Sequence, residues 1–248
     1  MKTALLYGTV AIASFIAFAI AFAPASLVWN AVKNDVAAAV PDLQVLTVDG
    51  SIWQGEANLR YREFPPATLE WGLSPTALAG MSVALEARLS GNGLRASGHG
   101  HATRSSTAID AKGTIEARYI NPVSTRYGLT FPGEIRIEGL ALDSDLSWFT
   151  AASGRATWNG GRVVLNMPEG ARTLILPPLA GEMTMEDTDL RLDVTNQRNG
   201  NLLLVVRLKP TGWAVVDMKA RLLEISGLSY RAGTNPNASA FIIEEKLF

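Results

Sequence analysis

The stretch Leu202–Lys219, LLLVVRLKPTGWAVVDMK, carries Leu202, Leu204, Val206 and Leu208 at every second position. After Pro210-Thr211-Gly212 the same period resumes with Ala214, Val216 and Met218, and Ala220 and Leu222 continue it. Successive side chains of a strand point to opposite faces. A period of two therefore means one apolar face and one wet face. Between the runs, Pro presets φ and Gly tolerates positive φ, which is turn chemistry. The stretch reads as an antiparallel hairpin whose second strand opens at Trp213. Asn199-Gly200-Asn201 marks the turn before it.

The same period runs outward from there to Leu43. Val83, Leu85, Ala87 and Leu89 alternate with Glu86 and Arg88; Ile115, Ala117 and Tyr119 alternate with Glu116 and Arg118. Ile135 and Ile137 alternate with Glu134, Arg136 and Glu138, and Val163, Leu165, Met167 and Leu190, Leu192, Val194 form further sets. Gly91-Asn92-Gly93 and Asn159-Gly160-Gly161 punctuate them. Two short helices are expected to interrupt the strands. One covers Ser74 to Leu78, with Ser74 as N-cap and Pro75 at the first helical position. The other lies around Ser144 to Ala152, with Trp148 and Phe149 directed inward, and Asn121-Pro122-Val123 is a third boundary. The fold class is mainly β and antiparallel. Roughly ten strands can hide their apolar face by closing into a sandwich or barrel, or by curving into an open sheet. The period does not choose between these. An uncovered trough would be a groove for lipid or polypeptide.

Ahead of the strands, residues 4–23 contain no charge, and nine of these twenty are Leu, Ile, Val or Phe. A helix of that length spans about 30 Å, the hydrocarbon thickness of a bilayer, and the nine favour insertion by about 4 kcal/mol. The segment reads as a single transmembrane helix. The alternative is a cleaved signal peptide, for which Ala21-Phe22-Ala23 offers a small-x-small site. Lys2 and the amino terminus are the only positive charges before the run, so the positive-inside rule places the N-terminus in the cytoplasm and the rest beyond the membrane, in the periplasm of a Gram-negative cell. Trp29, Val32, Val36 and Val40 then share a helical face that Pro41 ends. Trp29 suits either the membrane interface or the sheet. The organisation expected is a stub and anchor over 1–23, an amphipathic helix over 24–41, a β-domain over 42–233 with possible halves 42–150 and 151–233, and a tail over 234–248.

Composition narrows the function. Lys and Arg number 22 against 23 Asp and Glu, which argues against nucleic acid as partner. With 48% hydrophobic and 18% charged residues the chain can build a core. No Cys is present, which excludes disulfides, thiolate zinc sites and a Cys nucleophile.

One motif recurs. Gly50-Ser51-Ile52-Trp53-Gln54-Gly55 precedes the alternating Ala57 to Tyr61, and Gly154-Arg155-Ala156-Thr157-Trp158-Asn159-Gly160 precedes Arg162 to Asn166. Phe64-Pro65-Pro66 and Leu176-Pro177-Pro178 follow each in turn. The simplest reading is structural: the indole fills the core and the Gly permits a tight turn over it. Trp→Ala at Trp53 or Trp158 is then expected to cost about 3 to 5 kcal/mol. Together with Leu69-Glu70-Trp71-Gly72-Leu73-Ser74-Pro75 and Leu78-Ala79-Gly80, the two motifs resemble the type II secretion system protein N family (general secretion pathway protein N). Gly50, Trp53, Gly55, Trp71, Pro75, Gly154, Trp158 and Gly160 carry the resemblance as structural motif residues. It runs from the anchor to about Asn166 and more weakly to Gly227; Gly161 stands where the family would have Ala, and the tail from Thr234 matches no pattern. The resemblance implies an accessory inner-membrane subunit of the secretion machine, with other secretion subunits as partners, no enzymatic activity and no cofactor.

No catalytic or metal set competes with that reading. His99-Gly100-His101 places two imidazoles on one face of an extended strand, short of a third ligand. Asp143 and Asp145, and Glu186, Asp187 and Asp189, lack the spacing of a calcium loop and read as surface. The alternative function is a membrane-anchored protein that binds lipid in an amphipathic β-groove.

Overall fold

A computed structural model describes residues 21–75, 80–167, 170–227 and 235–247, and positions 7, 12, 14, 15, 18 and 19 of the first twenty. The apolar run 4–23 therefore lies largely outside the described residues, as do positions 76–78 of the helix expected over Ser74 to Leu78. Among the described residues no helix is long and apolar enough to cross a membrane.

Helix α1 (Ala25–Ala39) leads into strands β1 (Leu43–Gly50), β2 (Gln54–Tyr61), β3 (Ala67–Leu73), β4 (Val83–Gly91), β5 (Leu94–Ala102) and β6 (Thr107–Glu116). Helix α2 (Ala117–Ser124) and a 3₁₀ turn precede the short β7 (Leu129–Thr130), followed by β8 (Glu134–Ser144) and β9 (Phe149–Trp158). Then come β10 (Gly161–Met167), β11 (Gly170–Leu176), β12 (Leu179–Glu186), β13 (Asp189–Asn196), β14 (Leu202–Leu208), β15 (Trp213–Lys219), helix α3 (Ala220–Ile225) and β16 (Ser239–Lys246). Thirteen of these strands form one sheet in the order β1-β2-β3-β4-β5-β6-β8-β9-β12-β13-β14-β15-β16; β11-β10-β7 form a second. Every pairing is antiparallel. β1 and β16 do not pair, so hydrogen bonds do not close the large sheet into a barrel.

Register carries the apolar alternation across the whole sheet, because residues paired across antiparallel strands share a face. Leu94, Ile115, Ile135, Trp158 and Leu179 lie in one row, and Leu192, Val206, Val216 and Ile243 in another on the same face. Arg136 beside Thr114, and Arg155 beside Glu182 and then Asp193, occupy the opposite face. The sheet creases toward its apolar side along β5 and β6. A Cβ on Gly98 would lie 2.4 Å from the Asp110 carbonyl oxygen, and one on Gly113 would lie 2.5 Å from that of Arg95. On the charged face, a Cβ on Gly72 or Gly139 would meet nothing within 4 Å. The register shift between Ala111 and Gly113 falls in the same crease, as bulges do where a sheet bends.

The two ends of the strands differ. At one end the described residues of the large sheet form hairpin turns and the β3–β4 connection, with Ala23 and Pro24 beside the β1–β2 turn. At the other, α2, the small sheet and α3 cap it. Trp158, Val163 and Leu174 form a buried cluster there, and α3 buries Ala220 and Leu223 against β14, where Leu203 and Val205 are 1% and 2% exposed. Helix α1 lies along β1, with Ala25 buried and Trp29 and Val36 half-buried while Val32 and Val40 stay exposed. This places Trp29 against the sheet and shields an edge strand.

Several local expectations are corrected. Ala117 and Tyr119 stand in α2, not in a strand, because the Asn121 side chain clasps Phe131: its Nδ2 donates to the Phe131 carbonyl and its Oδ1 accepts from the Phe131 N–H, both at 2.9 Å. Ala220 and Leu222 belong to α3 and do not prolong β15. Around Ser144 to Ala152 there is no helix. Asp145 Oδ1 accepts from the N–H groups of Ser147 and Trp148, each at 3.0 Å, and this side-chain turn diverts the backbone into β9. The 150/151 boundary falls inside β9. The segment 234–248 supplies β16, whose Phe241 and Ile243 pair with Met218 and Val216.

The attachment of this last strand has an acid dependence. Burial alone would raise the Asp217 pKa, but the Lys219 ammonium at 2.5 Å, the Ser239 side chain of β16 and the Arg207 charge together outweigh it, and the net shift is downward. A carboxylate held below its ordinary value stabilises the fold above that value and loses the contribution as pH falls through the lowered one. Thermal melts should thus show less acid destabilisation below about pH 4 in Asp217→Asn than in the parent chain.

Candidate binding site

The capped end encloses an apolar cavity of about 270 Å³. Its floor is the apolar face of five neighbouring strands, represented by Ile115, Ile135, Trp158, Leu179 and Leu192; Ile120, Phe131 and Pro132 form the roof. Trp158 is 8% exposed and Nε1 donates to the Pro132 carbonyl at 2.9 Å. Its ring meets Phe131 edge-on, with centroids 6.3 Å apart at 86°. Ser124 donates to the Leu129 carbonyl at 2.8 Å, fixing α2 to the strand of the roof. Tyr119 stacks on Phe64 at 5.5 Å, and burial pushes its phenol pKa up. Arg126 pairs with Glu63 at 2.6 Å, tying the cap to the β2–β3 turn. The alternation marks the floor, but the roof is irregular chain without a period. Its only sequence signals are the boundary at Asn121-Pro122 and Phe131-Pro132-Gly133.

The motif residues divide between the two ends, Gly154 excepted. Gly50, Trp53, Gly55 and Trp71 come together at the uncapped end, beside Pro75. Ser51 Oγ accepts from the N–H groups of Trp53 and Gln54 at 3.3 and 3.1 Å, closing the β1–β2 turn. The Trp53 carbonyl accepts from Leu73 N–H at 2.7 Å, and Trp71 Nε1 donates to Ile52 O at 3.3 Å. A Cβ on Gly55 would lie 2.4 Å from the Trp71 ring and 2.5 Å from Asp49 O, so the indole fixes glycine there. Gly55→Ala should destabilise by about 1–3 kcal/mol through overpacking. In Trp71→Leu the same change should cost less, a coupling that urea unfolding of the four chains of the cycle measures. Trp158 and Gly160 belong to the capped end, while Gly154 sits in the middle of β9 opposite Leu140 and Met183; Gly160 has φ +77°, and a Cβ there would lie 2.6 Å from Leu176 O. The two Trp-Gly motifs thus do different work. Trp53 is a half-buried residue of a hairpin turn, whereas Trp158 ends a strand inside the core.

The charged face holds ladders of ion pairs. Glu186 binds Arg207 at 2.8 Å and also Arg191, which reaches Asp193 at 2.7 Å; hydrogen bonds from Arg207 and then Arg191 hold the Glu186 pKa low. Arg155 lies between Glu138 and Glu182 at 3.2 and 3.4 Å. A broad hollow of about 850 Å³ runs between Glu56, Glu70, Arg88, His99 and Lys112, with acids and bases mixed. His99 and His101 project from this face of β5, His99 3.9 Å from Glu86. Among the described residues no three His, Asp or Glu side chains are grouped to hold a metal.

An antiparallel meander with one apolar and one charged face, capped at one end over an apolar cavity, defines the class of this molecule. The chain belongs to the type II secretion system protein N family: the model of that family matches residues 41–227, from the start of the sheet through α3. It is thus a component of type II secretion. No curated protein and no solved structure matches it.

Proposed function

We propose that this chain is an accessory inner-membrane subunit of the type II secretion system, anchored by residues 4–23. Its sheet stands in the periplasm and serves assembly of the machine, or export of folded proteins across the outer membrane, without enzymatic activity. Family membership over residues 41–227 is the observation that carries the reading. The uncharged run ahead of it and Lys2 support the anchor and its orientation. Partner subunits have an edge available. Among the described residues no strand pairs with the outer side of β16, and Phe241, Ile242 and Ile243 on it are exposed. Such an edge recruits a strand from another chain. Deleting the gene should leave folded substrates of the secretion system in the periplasm, read as the ratio of periplasmic to extracellular protein. Undiminished export in the deletion strain would refute the proposal.

A further inference from the structure

Beyond the cavity, the apolar face of β5 and β6 forms a lane of residues that runs toward the uncapped end. From Leu94 and Ile115 at the cavity, the apolar face of β5 and β6 presents Ala96, Gly98, Gly100, Ala111 and Gly113, a floor of small side chains within the crease. The lane ends at Ile109 and Val83, which are 46% and 37% exposed. An apolar cavity of about 150 Å³ stays dry and binds hydrocarbon; the present one, at 270 Å³, is larger. The uncapped end is also where the N-terminal apolar run terminates. Ile52 N–H donates to Ala23 O at 3.0 Å, and Pro24 bridges to Ser51, so the last residue of that run is fixed to the β1–β2 turn.

We propose that the lane and cavity hold an acyl chain of a membrane phospholipid, which enters at Val83 and Ile109 and ends beneath Phe131 and Pro132. The source of the lipid rests on the anchored reading above, since a bilayer-spanning 4–23 sets the Val83–Ile109 end of the lane at the membrane surface. Arg104 and Lys209 share the rim with Asp145 and Asp187, so the headgroup charge is not selected.

The test uses the full chain reconstituted in phosphatidylethanolamine–phosphatidylglycerol vesicles that contain a phosphatidylethanolamine with a diazirine near the end of one acyl chain. After illumination, labelled peptides are mapped by mass spectrometry. Expected is label on the peptides of Ile115, Ile135 and Leu192 as well as on residues 4–23, unchanged when phosphatidylglycerol carries the probe. Ile109→Arg, at an exposed position that leaves folding intact, should reduce the cavity label at least tenfold and leave the anchor label as it was. Ala156→Phe, which fills the cavity, should do the same. Label on 4–23 with none in the cavity overturns the proposal and leaves the anchored reading standing. Absence of label from 4–23, in a chain that does not sediment with vesicles, overturns the anchored reading and with it the membrane source. Cavity label from a diazirine fatty acid, but not from the phospholipid, overturns the assignment to phospholipid.

Discussion

Trp158→Ala should lower the stability of the sheet domain by about 3–5 kcal/mol, a fall in Tm of roughly 6–20 °C for a domain of this size. Three losses add at this position. The indole leaves a void beside Val163, which is 1% exposed, and Leu174. The Pro132 carbonyl loses its donor, and Phe131 loses its edge-on partner. A buried acceptor without a partner costs about 1–3 kcal/mol by itself. Trp158→Phe keeps a ring but not the N–H, so it should cost less than the alanine. Trp53→Ala should also cost less than Trp158→Ala, because Trp53 is only half-buried in a hairpin turn. Equal costs at Trp53 and Trp158, by thermal or urea unfolding, would contradict the unlike roles of the two motifs.

The double variant Ile12→Arg, Phe15→Arg should abolish membrane association. Each Arg at the centre of a spanning helix costs about 2.5–3.5 kcal/mol, and the pair exceeds the roughly 4 kcal/mol by which the apolar residues of 4–23 favour insertion. Among the described residues the folded sheet meets the end of that run through Ala23 and Pro24 at the β1–β2 turn, so its own stability should be unaffected. Fractionation of cells and a melt of the released protein check both parts. A variant that still sediments with membranes and resists carbonate extraction would show that residues outside 4–23 hold the chain there.

How far the sequence alone carries depends on whether a residue acts through periodicity or through a single distant contact. The alternation over Leu202–Lys219 reads directly as β14 and β15, and the rows of Val83 to Leu89 and Leu190 to Val194 do so as β4 and β13. Burial follows that alternation in β4 and β13, but in β14 it is Leu203 and Val205, on the opposite face beneath α3, that are buried, so the period places the strand and misreads its buried side. The period misleads at Ala117 and Tyr119, where one amide, Asn121, holds the chain as a helix over the sheet. The helix expected around Ser144 to Ala152 fails because the Asp145 side chain makes a turn there and β9 follows it. β16 is hidden for a different reason. Phe241-Ile242-Ile243 is a continuous apolar run on an exposed edge, so no alternation marks it. The floor of the cavity is legible as one more set of alternating positions. Its roof is not, because Ile120 and Phe131 reach the sheet through irregular chain.

The central claim, that this two-faced sheet works as part of the secretion machine, is tested most directly by photocrosslinking in living cells from two exposed positions. One is Arg155 on the charged face and the other Ile242 on the free edge. Adducts with type II secretion subunits from either position, lost when the secretion genes are deleted, are the predicted result. A chain that reaches the envelope in full amount and crosslinks to no secretion subunit from either position would contradict the account.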